Sequence, residues 1–320
     1  MEKKENKFFL YDHPQKVTAK YVIKAIYFEM LNFLYKVQTC LTIKKSKQTK
    51  YNVSVCAIFK NEGPYLKEWL EFNHLVGVEH FYMYNNNSND DYMKILKPYI
   101  KKGLVTLVQW PYNQQQIQSY KDCIEKYSSE TKWLGFIDID EFIIPKSTNS
   151  IYDFLKPYEK KYGSVNIYWK LFGSSGLLNR KLTGLVVEDF TVCWPKYCDI
   201  GKCFYNTAFK FDAKTSKNNY LHHNLWTKNF GINLPPINIF NEFSFGNRNV
   251  ARTKDFPIQI NHYFTKSYTE YAMKKSKGDV YFKNNPHDEE YFYEHDMKCT
   301  AVDYSAYKYL IKLKMVMKNE

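Results

Sequence analysis

The sequence predicts an α/β fold with a mostly parallel central sheet flanked by helices. Residues 51–145 alternate strand-like and helix-like runs in the order β-α-β-α-β-α-β, which is how a helix-covered parallel sheet reads. Gly, Pro, Asn and Asp punctuate the junctions. With 44% hydrophobic residues in 320, the chain can bury a large core.

Before that repeat, residues 1–50 are basic, and their most apolar part, 21–43, is interrupted by Lys24, Glu29, Asn32 and Lys36. That is too polar to cross a bilayer. Val22, Ile23, Ile26, Tyr27, Met30, Phe33 and Leu34 recur at helical spacing, so the stretch reads as an amphipathic helix, either docked on the main domain or lying on a membrane surface. Residues 44–50 read as an exposed Lys-rich linker, and the Lys- and Glu-rich beginning does not read as a signal peptide.

Residues 51–59 form the first strand, followed by the turn Lys60-Asn61-Glu62-Gly63-Pro64 and a helix over 65–76. Pro64 suits the first helical turn, and Leu66, Trp69, Leu70 and Phe72 supply its buried stripe. A turn through Gly77 leads to a strand at 81–84, which ends in the polar run 85–91. Such residues are turn formers, but ligands in open α/β sheets also bind at the carboxyl ends of strands. A helix over 91–99, a strand over 104–110 and a helix over 114–127 follow.

The next apolar run starts at Trp133, carries Asp138, Asp140 and Glu141, and continues to Pro145. Read as one strand, it projects Asp138 and Asp140 to the same side while Ile139 points into the packing. Two carboxylates held that close repel each other unless a cation neutralises them, and hard oxygen ligands suit Mn²⁺ or Mg²⁺. The residues therefore point to a divalent-metal site for a phosphorylated ligand. A bare Asp-x-Asp triplet is expected about once by chance in a chain of this length, so its weight comes from its place after a buried strand. No Gly-x-Gly-x-x-Gly or Gly-Lys-Ser/Thr loop supports a dinucleotide or P-loop reading.

Farther on, a short helix over 151–158 precedes a strand at 164–169 and the Gly/Ser turn 171–176. Residues 185–270 are less periodic, with strand-like runs at 185–192, 205–211 and 258–264, the kind of structure that often carries a variable substrate site. A basic amphipathic helix over 304–317 ends the chain. The expected division is an N-terminal helical extension at 1–50, a main domain at 51–280 with halves meeting near 150, and a C-terminal helical extension at 281–320.

The formal charge of +13 comes almost entirely from Lys, with Arg only at 180, 248 and 252, so no nucleic-acid partner is expected. Seven scattered cysteines without a Cys-x-x-Cys pair argue for reduced thiols in a cytoplasmic setting.

Several motifs carry a resemblance in their order. Residues 53–62, Glu68-Trp69-Leu70-Glu71-Phe72-Asn73, residues 77–82, 85–90 and 136–142, the turn 171–176, and Asn261-His262-Tyr263-Phe264-Thr265-Lys266-Ser267 together resemble glycosyltransferase family 92 and related family-2-like bacterial enzymes. The likeness spans roughly residues 51–280. It implies a GT-A fold that binds a UDP-sugar, with Lys60, Asn61, Glu62, Asn86 and Asp90 near the nucleoside. It also places Asp138 near the ribose and metal, Asp140 on the metal, and His262 completing the metal shell, with His222 or His223 the second choice. Lys266 would pair with the diphosphate. An inverting transfer also needs a general base, for which Glu188 comes first, with Asp189 beside it and Glu141 kept for the local turn. The basic residues that bacterial relatives carry ahead of the His222 region correspond only loosely to Lys202 and Lys210.

The expected activity is therefore metal-dependent transfer of a hexose, galactose or glucose, from a UDP-sugar to a glycan or lipid-linked acceptor, with a peripheral membrane contact. A glycoside hydrolase is the rival enzyme, but it needs carboxylates on opposite sides of the scissile bond. A non-catalytic Lys-rich module binding anions or membranes is the rival of another class.

Overall fold

The computed structural model describes residues 19–41, 44, 47–198, 200–212, 221–245, 256–276 and 288–318. A long helix α1 (Ala19–Leu41) precedes β1 (Tyr51–Phe59), α2 (Gly63–Leu75), β2 (His80–Asn85), α3 (Tyr92–Lys101), β3 (Val105–Gln109), α4 (Gln116–Tyr127) and β4 (Thr131–Phe136). Then come β5 (Glu141–Pro145), α5 (Ile151–Leu155), β6 (Ser164–Leu171), α6 (Val186–Asp189), β7 (Val192–Cys193), β8 (Gly201–Asn206) and β9 (Lys210–Phe211). The chain closes with β10 (Thr227–Asn229), β11 (Ile232–Leu234), β12 (Ile237–Asn238), β13 (Ile258–His262), α7 (Tyr268–Ser276), α8 (Glu289–Met297), β14 (Ala301–Val302) and α9 (Tyr307–Lys318).

The main sheet runs β3-β2-β1-β4-β8-β6-β13-β5, with β12 alongside β6. β3, β2, β1 and β4 are mutually parallel, as the repeat predicts. The chain builds outward from β1 to β3 and then returns to β1's other side with β4. A crevice therefore opens at the carboxyl ends of β1 and β4, where ligands settle in sheets of this kind. β8 runs antiparallel to both β4 and β6, and β13 is parallel to β6 and antiparallel to β5.

The core lies between this sheet and its helices. Trp69, Leu70 and Phe72 of α2 pack against it, with Phe72 edge-on to both Phe142 of β5 and Tyr309 of α9. Each such side chain contributes about 1.5–3 kcal/mol by leaving water. The C-terminal helix is thus part of the core, with Leu313 completely buried. Pro64 sits in the first turn of α2, and the missing cap comes from another loop, where Asp90 Oδ2 accepts from the Gly63 N–H at 2.7 Å. Gly201 marks a close approach, because a Cβ there would lie 2.0 Å from the Ile167 carbonyl oxygen.

Three expectations are corrected. The run from Trp133 to Pro145 is two strands, β4 and β5, at distant places in the sheet, and Ile137–Asp140 is a turn between them. The turn forms because its backbone groups find side-chain partners in place of a ladder. Second, residues 185–191 are no strand, and only Val192 of the expected run is extended, as the start of β7. Both carboxylate oxygens of Glu68 accept the N–H groups of Val186 and Val187 at 2.7 and 3.0 Å, which starts α6 as a short helix instead. Third, α1 does dock, but not by its apolar stripe. Phe28 stacks on Phe245, Tyr35 lies against Phe243, and Asn32 accepts from the Phe243 N–H at 3.0 Å, while the stripe faces outward.

Candidate active site

The acidic turn is closed by side chains. The Asp138 N–H donates to Glu141 Oε2 at 2.9 Å, and the Glu141 N–H donates back to the Asp138 carbonyl at 3.1 Å. The indole N–H of Trp69 donates to the carbonyls of Asp138 and Glu141 at 2.9 and 2.8 Å. Glu141 is fully buried in this supporting role, and burial pushes its carboxyl well above the usual range.

Asp138 Oδ2 accepts from Lys202 Nζ at 2.6 Å, while Oδ1 accepts from Gln116 Nε2 at 3.2 Å and the Tyr120 hydroxyl at 3.1 Å. Lys202 is wholly buried and also lies 3.4 Å from Glu141 Oε2. Burial acts to raise the Asp138 carboxyl, but Lys202 outweighs it and holds the group below its ordinary value. The Asp138 side chain keeps 30% of its surface exposed, so a ligand in the crevice can reach it.

Asp140 is more enclosed. Its Oδ2 accepts from Lys274 Nζ of α7 at 2.5 Å, and its Oδ1 faces His262 Nε2 at 3.6 Å, too far for a hydrogen bond. The antiparallel register that sets His262 of β13 opposite Glu141 of β5 creates this meeting, and the Tyr263 N–H extends it to the Asp140 carbonyl at 2.9 Å. Against burial, Lys274 and His262 hold Asp140 well below the usual carboxylate range. Burial lowers His262 in turn, and its Nδ1 is buried without a hydrogen-bond partner among the described residues.

Other predicted residues gather at the same crevice. Asn61 has the left-handed φ of 54°, its N–H donates to Ser88 Oγ at 2.9 Å, and its Oδ1 accepts from the Asn89 N–H at 2.8 Å. The two polar loops after β1 and β2 are thereby tied together beside Lys60 and Glu62. Asn86 spends its amide on the carbonyls of Trp110 and Tyr112, and Asp90 caps α2, so both shape the loop. Lys266 is buried with Nζ 4.3 Å from the centre of the Tyr65 ring. Burial lowers its basicity, while Asp140 and Glu62 pull the other way.

His222 and His223 stand behind Asp138, with His222 against Tyr120 and His223 edge-on to Trp169. Glu188 is ion-paired with Lys314 of α9, and Asp189 with Arg180 at 3.2 Å. Neither shares a hydrogen bond with the acidic turn. Among the described residues, no group of three or more His, Cys, Asp or Glu side chains is arranged to hold a metal ion.

Residues 49–177 match the family model described as glycosyltransferase family 92. This stretch is therefore similar to glycosyltransferase family 92. A family 92 protein of Ricinus communis is 29% identical over 155 residues, 45% of this chain and 27% of its own. The beta-1,4-galactosyltransferase galt-1 of Caenorhabditis elegans is 31% identical over 109 residues, covering 30% and 26%. The chain thus spans about a quarter of the length of these curated relatives. Among solved structures, S. aureus TarS aligns with 53% of this chain and 30% of its own at 16% identity and a TM-score of 0.33.

The family 92 match takes in the crevice loops and the acidic turn and stops before Lys202, His262, Lys266 and Lys274. The sequence offers Lys202 only as a loose counterpart of a basic position ahead of His222, and gives no site role to Lys274, Gln116 or Tyr120. A signal for Lys202 was present, since a lone lysine in the apolar run Gly201-Lys202-Cys203-Phe204-Tyr205 needs a buried acid. Lys274 carried no such mark.

Buried histidines give the protein a pH dependence with a definite sign. Burial lowers His80 and His295 to about 4 and His223 to about 3, and it also lowers His222 and His262. A depressed folded pKa contributes stability above the unfolded value of 6.5, and that stability is lost as pH falls. By pH 5 each of the first three loses about 2 kcal/mol. Glu68, raised to about 7, Glu141 and Glu242 act in the opposite direction on acidification, but three groups do not offset five. Thermal melting should therefore show Tm falling steadily from pH 7 to pH 5, and a flat profile contradicts this account.

Proposed function

We propose that the chain is a metal-dependent, inverting glycosyltransferase that moves a hexose, with galactose or glucose favoured, from a UDP-sugar to a glycan or lipid-linked acceptor. The observation that carries the reading is the pairing of Asp138 and Asp140 on one turn at the crevice of a domain similar to family 92, ringed by Lys202, Lys274 and His262. Galactosyltransferases among the partial relatives favour the hexose.

The donors present fit a Mn²⁺ or Mg²⁺ ion that also takes phosphate oxygens and water, since such an ion needs only one or two protein ligands. Asp140 Oδ1 and His262 Nε2 would hold it, with Lys274 on the other Asp140 oxygen. When bound, the ion supplies positive charge against that developing on the departing diphosphate.

Asp138, partly exposed and held by Lys202, Gln116 and Tyr120, is oriented to accept from a ribose hydroxyl. Lys266 and Lys274 add fixed positive charge near the diphosphate. The tied loops at Lys60–Glu62 and Asn86–Asp90 border the nucleoside. Glu188 on α6 is the candidate base: its side chain is 36% exposed and its partner Lys314 is 44% exposed, whereas Asp189 is held by Arg180, which is 4% exposed. In this reading the reaction runs in a reducing, cytoplasmic compartment and serves surface polysaccharide or glycoconjugate synthesis.

Calorimetric titration with UDP tests the site. Binding should require Mn²⁺, disappear with EDTA and weaken in His262→Ala. Equal binding with Mn²⁺ and EDTA removes the metal from the proposal, and no UDP binding in either removes the donor.

A further inference from the structure

α1 is folded inside out relative to an ordinary surface helix. Ile23, Ile26, Met30, Phe33, Leu34 and Leu41 are all exposed, Leu41 to 81%. At 3.6 residues per turn they fall on one arc of roughly 100°. The opposite face, through Phe28, Asn32 and Tyr35, is the one that grips the domain. An amphipathic helix that served only to cover the core would turn the apolar arc inward.

A second apolar feature adjoins it. The hairpin of β10 and β11 turns at Phe230 and Gly231, both with positive φ, and exposes Phe230 to 77% and Ile232 to 52%. Lys44, three residues beyond α1, places its Nζ 5.0 Å from the centre of the Phe230 ring. The helix end and the hairpin tip therefore share one side of the molecule.

Charge identifies the occupant. Residues 19–50 contain lysines at 20, 24, 36, 44, 45, 47 and 50 against the single acid Glu29. Apolar side chains set among lysines match the boundary between acyl chains and anionic headgroups. The arc is also wider than the narrow seam through which two helices of a coiled coil meet. Among the described residues no helix is long and apolar enough to cross a membrane, which leaves α1 to lie in the interface plane.

We propose that the outward face of α1 and the Phe230 hairpin form an anchor for an anionic lipid bilayer surface. This is independent of the transferase reading, although it would bring a lipid-linked acceptor to the crevice.

Flotation with vesicles of phosphatidylcholine and phosphatidylglycerol tests it, with phosphatidylcholine vesicles as the comparison. The protein should float with the anionic vesicles and be released by high salt. The double change Ile26→Glu and Phe33→Glu should reduce partitioning at least about tenfold, and Phe230→Ser should reduce it less. Replacing Lys44 or Lys47 by Gln should cost about fivefold each. Ile26, Phe33 and Phe230 are exposed, so melting curves of their variants should stay unchanged, and UDP titration scores the nucleotide site separately. Failure of the unaltered protein to float, or equal flotation by the double variant, overturns the proposal. So does a dimer in solution that the double variant dissociates while neither floats, since the arc is then a face between two copies.

Discussion

Asp140→Asn should lower the proposed hexose transfer by roughly two to three orders of magnitude, the scale of removing one preorganised electrostatic contact. Asparagine preserves the volume and the carbonyl oxygen but removes the charge that faces Lys274 at 2.5 Å and His262 at 3.6 Å. Lys274 keeps 35% of its side-chain surface exposed, so water can solvate it after the change and folding should survive. Asp138→Asn serves as the control. In the proposed site Asp138 accepts from the ribose, so its loss should act mainly on KM for the nucleotide-sugar, whereas the Asp140 change should act mainly on kcat. Initial rates in Mn²⁺ decide the matter. An Asp140→Asn enzyme within a few-fold of the unaltered rate would sink this assignment.

Lys202→Met should have the largest effect on stability, a loss of about 3–5 kcal/mol at pH 7, because removing one member of a buried ion pair strands the other. Here it strands two carboxylates, Asp138 at 2.6 Å and Glu141 at 3.4 Å. The partial exposure of Asp138 pulls the figure toward the lower end. The pH dependence gives a second check. Without the ammonium, both carboxyls have folded pKa values above their unfolded ones, so their favourable contribution exists at low pH and is lost as pH rises. Urea unfolding should therefore show the gap between Lys202→Met and the unaltered protein narrowing from pH 7 to pH 5. Adding Glu141→Gln should recover part of the loss at pH 7. A gap under about 1 kcal/mol, or one that widens on acidification, rules out the buried triad as a stabilising element.

Some of this was legible in the residues. The four parallel strands and their helices follow from periodicities of 2.0 and 3.6 within short windows, and β1 falls at residues 51–59, as that reading expects. The acidic turn was visible as composition, but its continuity with β5 was misread. Apolar residues on both sides of Asp138 look like one strand until Trp69 and the Glu141 side chain take the backbone partners between them. Likewise Glu68, a residue of α2, converts 186–189 into a helix from 118 positions away. The exposed stripe of α1 was visible as an amphipathic pattern, but the direction in which it faced was not.

By itself, the sequence determined the α/β opening, the placing of two carboxylates at its crevice and the likeness to family 92. Only the tertiary structure decided what faces those carboxylates. Lys202 reaches Asp138 across 64 positions and Lys274 reaches Asp140 across 134, through the pairing of β8 with β4 and the meeting of β13 with β5. Periodicity records how one segment is buried, whereas the partners of a charge depend on which distant segments the sheet brings into register.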